Sequence, residues 1–221
     1  MKAAMHIKTI LITIFTIAFV VVLPHTGLVN FFPFGYTIPI IIFVWLYLKM
    51  NKESFKSIGF NLKEIGLKPL LVGLLSAILI FAFMQMVFFP IIELFIDFKP
   101  VDVDLYNDIR NNGIEYFIFI LITSWLVGGV YEEIIFHAFI FTRLEKVIKG
   151  KFKIAICFLI TALIFGLYHY QLGAADTINA FFVGAGYLSL FLFYKRNLWY
   201  ATFCHGFYNT IAITSLYLGY I

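Results

Sequence analysis

Charge is scarce in this chain. Asp, Glu, Lys and Arg make up 13% of its 221 residues, against roughly 25% in an ordinary soluble domain. That scarcity excludes an ordinary water-soluble domain and a disordered chain. With a formal net charge of only +4, it also excludes a nucleic-acid partner held by a strongly basic surface. Cysteine is nearly absent. Cys157 and Cys204 both fall inside apolar runs, so they read as small packed residues and not as a disulfide framework. No internal repeat is visible, and no His-Glu-x-x-His sequence marks a zinc-binding helix. Lys2 and Lys8 precede an apolar run with no small-x-small cleavage pattern after it. That run is therefore expected to be a retained first span.

Apolar sequence takes the place of charge: 62% of residues are hydrophobic and 20% aromatic. A membrane-spanning helix needs about 20 mostly apolar residues, whereas barrel strands need about 10 of alternating polarity. The runs here are long and unbroken. They predict an all-α polytopic integral membrane protein of about seven transmembrane helices (seven or eight), over 9–29, 31–48, 69–92, 116–142, 154–175, 177–194 and 197–220. Residues 1–68 would hold two helices and a basic loop, 69–115 a third helix and an acidic external loop, and 116–221 a helical core. With the N-terminus in the cytoplasm and the sides alternating, only Lys99 and Arg110 of the 16 basic residues fall outside. Basic residues concentrate in short cytoplasmic loops, so this orientation is the expected one. The same loops would lie against anionic lipid headgroups.

Glu132 and Glu133 interrupt the fourth apolar run, about 15 Å of helical rise before Arg143. A charged side chain at the bilayer centre costs about 2.5–3.5 kcal/mol even on the most lenient scale, and such residues are functional by default. Neighbours on a helix point about 100° apart, so the two carboxyls face different surroundings. His137 follows Glu133 by four residues and shares its face. Gly128 and Gly129 permit another helix to approach closely. His169 ends Phe165-Gly166-Leu167-Tyr168-His169, and His205 and Asn209 share a face of the last run. His6 and His25 lie near span ends and read as interfacial packing.

Each of these residues alone has a plain reading as interhelical hydrogen bonding. Together they carry another. A carboxylate beside an imidazole can activate water, and a His–Asn pair can donate to a developing oxyanion. Two His and a Glu with an open position are also a catalytic zinc set. The residue chemistry leaves both open.

Glu132-Glu133, then Phe-x-x-x-His at 165–169, then His-x-x-x-Asn at 205–209 after Trp199 and Tyr200, resembles the CPBP family. These are the CAAX-protease and bacteriocin-processing, or Abi-type, intramembrane glutamic endopeptidases. The resemblance spans residues 116–216, with Phe55-Lys56-Ser57-Ile58-Gly59-Phe60 resembling the short linker ahead of the family's core. It implies that Glu132 is the general base, that His169 holds or activates the water, and that His205 and Asn209 form the oxyanion site. It implies that Glu133 supports them as a second carboxylate. It further implies a metal-independent reaction with no cofactor, zinc being the alternative.

One position departs from the pattern: the family has Glu-Glu-x-x-x-Arg, where this chain has His137. Arg stays charged at any accessible pH and His does not, so activity is expected to be weaker or more pH-dependent than in Arg-bearing relatives. Depth raises a second question, because helical rise puts His169 about 24 Å from Lys153, deeper than Glu132 or His205. The expected partners are a peptide or membrane-associated protein substrate and membrane lipid, with no nucleic acid. The expected setting is a bacterial cell membrane, in bacteriocin or signalling-peptide processing or self-immunity. The competing expectation is a non-catalytic membrane scaffold or bacteriocin-immunity protein that uses the polar cluster for packing.

Overall fold

Pro24 sits where the first apolar run should continue, and the α-helix ends just before it. A 3₁₀ turn at Leu23–Thr26 follows, closed by Gly27 at φ +74°, a left-handed conformation that a side chain would resist. The computed structural model describes residues 2–27, 34–96 and 112–220. Among them are no strands and seven long helices: α1 (Lys2–Val22), α2 (Thr37–Met50), α3 (Leu67–Ile92), α4 (Gly113–Val147), α5 (Lys153–Tyr168), α6 (Ala174–Phe193) and α7 (Trp199–Leu218). Most of the acidic loop, 97–111, and residues 28–33, which take in the end of the expected first span and the start of the second, lie outside the described residues.

Three of the helices, α3, α4 and α6, are long and apolar enough to cross a membrane. Ile10–Thr26, α2 and α5 are apolar but shorter. Helix α7 falls in neither group, because Thr202, His205, Asn209, Thr210 and Thr214 dilute its apolar sequence. Large apolar side chains point outward along α1, α2 and α3, among them Phe15, Trp45, Leu75 and Phe83. That suits a lipid solvent.

Local sequence explains the helix ends. The Asn112 side chain accepts hydrogen bonds from the Ile114 and Glu115 amides at the start of α4 and donates to the Glu115 carboxylate at 2.7 Å. Pro90 has no N–H to offer the carbonyl of Met86, and a π turn at Met84–Phe88 takes up the mismatch within α3. In α4 the π-type winding is far longer, running from Leu121 to Ile140. π turns concentrate at functional positions, and this one contains both glutamates.

α7 packs against α3 on one side and α4 on the other. Its approach to α4 depends on two glycines facing each other. A β-carbon at Gly129 would lie 3.0 Å from the Thr202 carbonyl and 3.5 Å from the Gly206 α-carbon. The small pair in α4 thus admits a neighbouring helix as its sequence suggests, and that neighbour is α7.

The basic segments at one end of the bundle do more than sit at a surface. Glu53 accepts hydrogen bonds from Arg143 at 3.1 and 2.6 Å and a further one from Lys146. Glu145 pairs bidentately with Arg196 at 2.7 and 2.8 Å, and Lys153 stands 3.8 Å away. Burial alone would raise the Glu53 carboxyl, but its bonds to Arg143 and Lys146 outweigh that and hold it below the ordinary glutamate value. The loop before α3 is tied to the start of α7 as well. The Trp199 indole donates to the Asn61 carbonyl at 2.9 Å, and the Leu198 amide donates to the Gly59 carbonyl at 3.1 Å.

Candidate active site

Glu133 is fully buried and engaged on both oxygens. Its Oε2 accepts from Nδ1 of His137 at 2.8 Å and its Oε1 from Nδ1 of His205 at 2.8 Å. The carboxylate therefore joins α4 to α7 and sets the ring orientation of His205. With Nδ1 donating, Nε2 of His205 is the atom left for chemistry.

Glu132 points elsewhere, as the angular step between neighbours on a helix requires. Its Oε2 lies 3.8 Å from Nε2 of His169 and 3.8 Å from Nε2 of His205. These separations exceed a direct hydrogen bond and leave room for a bridging molecule. His169 is oriented in the same manner as His205, its Nδ1 donating to the Phe165 carbonyl at 2.8 Å. As neutral imidazoles both rings thus turn an Nε2 lone pair toward Glu132.

Asn209 completes the group. A β-carbon built on Gly128 would lie 2.6 Å from Asn209 Nδ2 and 3.0 Å from His205 Nε2. Both polar atoms therefore border the bare backbone of Gly128, and only glycine leaves them that space. All five candidate residues, Glu132, Glu133, His169, His205 and Asn209, are brought together. His137 supports Glu133 from within the same helix. Of the remaining histidines, His25 meets the Tyr168 ring at 5.1 Å, and the side chain of His6 lies outside the described residues.

The difference in depth is small enough for the side chains to close. Lys153 stands beside Glu145, so α4 and α5 start level at their charged ends. From there to Glu132 is about 20 Å of α-helical rise, and to His169 about 24 Å. The two side chains nevertheless meet at 3.8 Å, the difference of about 4 Å lying within their combined reach.

Aromatic rings form the walls. Phe165 packs against the rings of His137, His169 and His205 at 5.0, 4.8 and 6.0 Å. Tyr187 of α6 stacks on His205 at 4.5 Å with planes 20° apart. The Tyr36 and Tyr131 rings meet at 5.9 Å, and the Tyr168 ring packs on Phe136 at 4.8 Å. Sequence reasoning did not single out these tyrosines, since one more aromatic in a Phe-rich apolar run carries no signal of its own. Nor did it find the Glu53–Arg143 pair, which joins residues 90 positions apart.

A metal was the other chemical option. Glu132 Oε2 and the two Nε2 atoms are zinc donors by type, but tetrahedral zinc holds its ligands about 3.3 Å apart, and both separations here are 3.8 Å. Among the described residues no group of three His, Cys, Asp or Glu is arranged to hold a metal ion. Cys157 and Cys204 are buried and unpaired.

Residues 114–211, from α4 into α7, match the family described as type II CAAX prenyl endopeptidase Rce1-like. This is the CAAX-protease family that the sequence resembles, and the match contains every candidate catalytic residue. No curated protein and no solved structure gives a match.

Proposed function

We propose, from the Rce1-like match over 114–211, that this protein is an intramembrane glutamic endopeptidase. It hydrolyses a peptide bond in a membrane-associated protein or peptide. Its seven helices span a bacterial cell membrane with the N-terminus cytoplasmic, as the distribution of Lys and Arg favours. The observation that carries the reading is the placement of Glu132 Oε2 at 3.8 Å from two Nε2 atoms whose rings are each fixed through Nδ1.

In the proposed reaction a water lies between Glu132 and His169. Glu132 removes one proton as the water oxygen bonds to the scissile carbonyl carbon, and His169 Nε2 accepts the hydrogen bond of the other. Negative charge develops on the carbonyl oxygen. Asn209 Nδ2 donates to it, and His205 donates through Nε2 when its ring carries a second proton, the Glu133 carboxylate balancing that charge. Collapse breaks the C–N bond, and the proton held by Glu132 passes to the leaving amine. No step calls for a metal or cofactor. Bacteriocin or signalling-peptide maturation, or self-immunity, are the roles proposed for such a product.

The test is proteolysis by the purified protein in liposomes, on a mixture of membrane-inserted peptides with new N-termini read by mass spectrometry. Wild type should generate termini that Glu132→Gln generates about 10³-fold more slowly. Equal yields from both would overturn the proposal. The scaffold reading would prevail if a well-folded Glu132→Ala protein kept its biological effect in cells.

A further inference from the structure

The catalytic cluster is closed on most sides. Side-chain exposure is 0% for Glu133 and His137, 4% for His205 and 9% for Glu132, but 19% for His169. A substrate therefore approaches from the side of His169, at the C-terminal end of α5. Beside it, on residues that flank His169 in sequence and with none of the five candidate residues in its wall, lies a groove of about 700 Å³ between α5 and the turn that ends α1, lined by Val22, His25, Ile164, Leu167, Tyr168 and Gln171 among others. Tyr168 belongs to both places: its ring meets His25 at 5.1 Å and His169 at 5.3 Å.

We infer that this groove is the subsite that binds the substrate chain on one side of the scissile bond, taking an extended peptide segment with apolar side chains. The inference rests on the proposed peptidase reading and gives it a specificity element. The lining argues for peptide. Val22, Ile164 and Leu167 supply an apolar floor, while the Gln171 amide and the His25 ring offer donors and acceptors that an extended backbone can use. A smaller cavity of about 190 Å³ between α5 and α6, lined by Leu163, Leu167, Ile178, Phe181 and Phe182 with Thr177, is the contrasting case, suited to an acyl chain. Half of the groove comes from Val21–Gly27, outside the matched segment 114–211. The N-terminal helix thus adjusts selectivity on a core whose chemistry is held elsewhere.

The experiment uses the full-length protein carrying Glu132→Gln in detergent, and two fluorescent dodecapeptides, one with a Leu/Val flank and one with a Ser/Gly flank. The Leu/Val peptide should bind at least tenfold more tightly than the other. Filling the groove with Val22→Trp and Leu167→Trp, both at exposed positions, should weaken it at least tenfold, and Gln171→Ala should weaken it severalfold. Equal binding by the two peptides, no binding, or affinity unchanged in the filled variant overturns the inference. Palmitate binding without peptide binding also overturns it and assigns the groove to lipid. The same substitutions with Glu132 intact should raise KM and leave kcat unchanged. If wild type cleaves peptides and the filled variant keeps its KM, the groove fails and the peptidase reading stands. If peptide binding depends on the groove but wild type cleaves nothing, the reverse holds.

Discussion

Nδ1 of His205 and Oε1 of Glu133 stand 2.8 Å apart, joining two helices through a bond with neither partner appreciably exposed. The contact gives the second carboxylate a task distinct from its neighbour's. Glu133 aims a ring, while Glu132 faces two Nε2 atoms across gaps of 3.8 Å. Glu133→Gln should therefore keep the fold but lose the counter-charge for an imidazolium. Turnover is expected to fall on the order of 10²-fold, mainly in kcat, in the liposome assay.

The two glycines of α4 should separate activity from stability. Gly128→Ala puts a β-carbon 2.6 Å from Asn209 Nδ2 and 3.0 Å from His205 Nε2. It should cost about tenfold or more in kcat with a modest change in melting temperature. Gly129→Ala meets the Thr202 carbonyl at 3.0 Å, a backbone atom of α7, so it should cost about 1–3 kcal/mol of stability. Thermal melts and turnover on the same preparations check both.

His137→Arg should flatten the pH profile. Glu133 meets His137 from its own helix and His205 from α7, while Phe165 of α5 and Tyr187 of α6 line the ring of His137. Histidine carries a charge only when protonated, whereas Arg is charged at any accessible pH. Across pH 5.5–8, wild-type activity should decline on the alkaline side more steeply than that of the variant. Superimposable profiles would contradict this.

Glu53 links pH to stability at the charged end of the bundle. Its carboxyl is held below the ordinary glutamate value despite partial burial, through Arg143 and Lys146. Its contribution is therefore present above the unfolded value of about 4.3 and is lost as pH falls through the lower folded value. Glu53→Gln should lower the melting temperature at pH 7, and the difference from wild type should vanish in strong acid.

Chelation tests the cofactor proposal. Overnight dialysis against EDTA and phenanthroline should leave peptide cleavage unchanged. Loss of activity that zinc restores would move the chemistry to a metal centre.

Much of the candidate site was legible because polar groups are costly in an apolar chain. Glu132, Glu133, His169, His205 and Asn209 stand out against a 62% hydrophobic background, and their geometry brings them together. The i,i+4 contact of Glu133 with His137 follows from helical spacing alone. Contacts across long separations were not legible. Nothing local in Tyr187 says that it will stack on His205, and nothing in Glu53 points to Arg143. Helix ends were less legible. The expected first span runs through Pro24 to residue 29, whereas α1 covers Lys2–Val22 and a 3₁₀ turn follows, and the polar residues of α7 keep it out of the most apolar group.

The bonds from Trp199 and Leu198 to Asn61 and Gly59 have a mechanical meaning. They moor the last helix from outside, fixing how far it slides along its own axis. A slip of one residue would shift His205 by about 1.5 Å and swing it through about 100°, carrying its imidazole off the Glu133 carboxylate. The loop before the third helix, remote from any chemistry, therefore sets the alignment of the machinery as a fence sets a ruler. Freeing that loop would undo the Glu133–His205 bond without touching either residue.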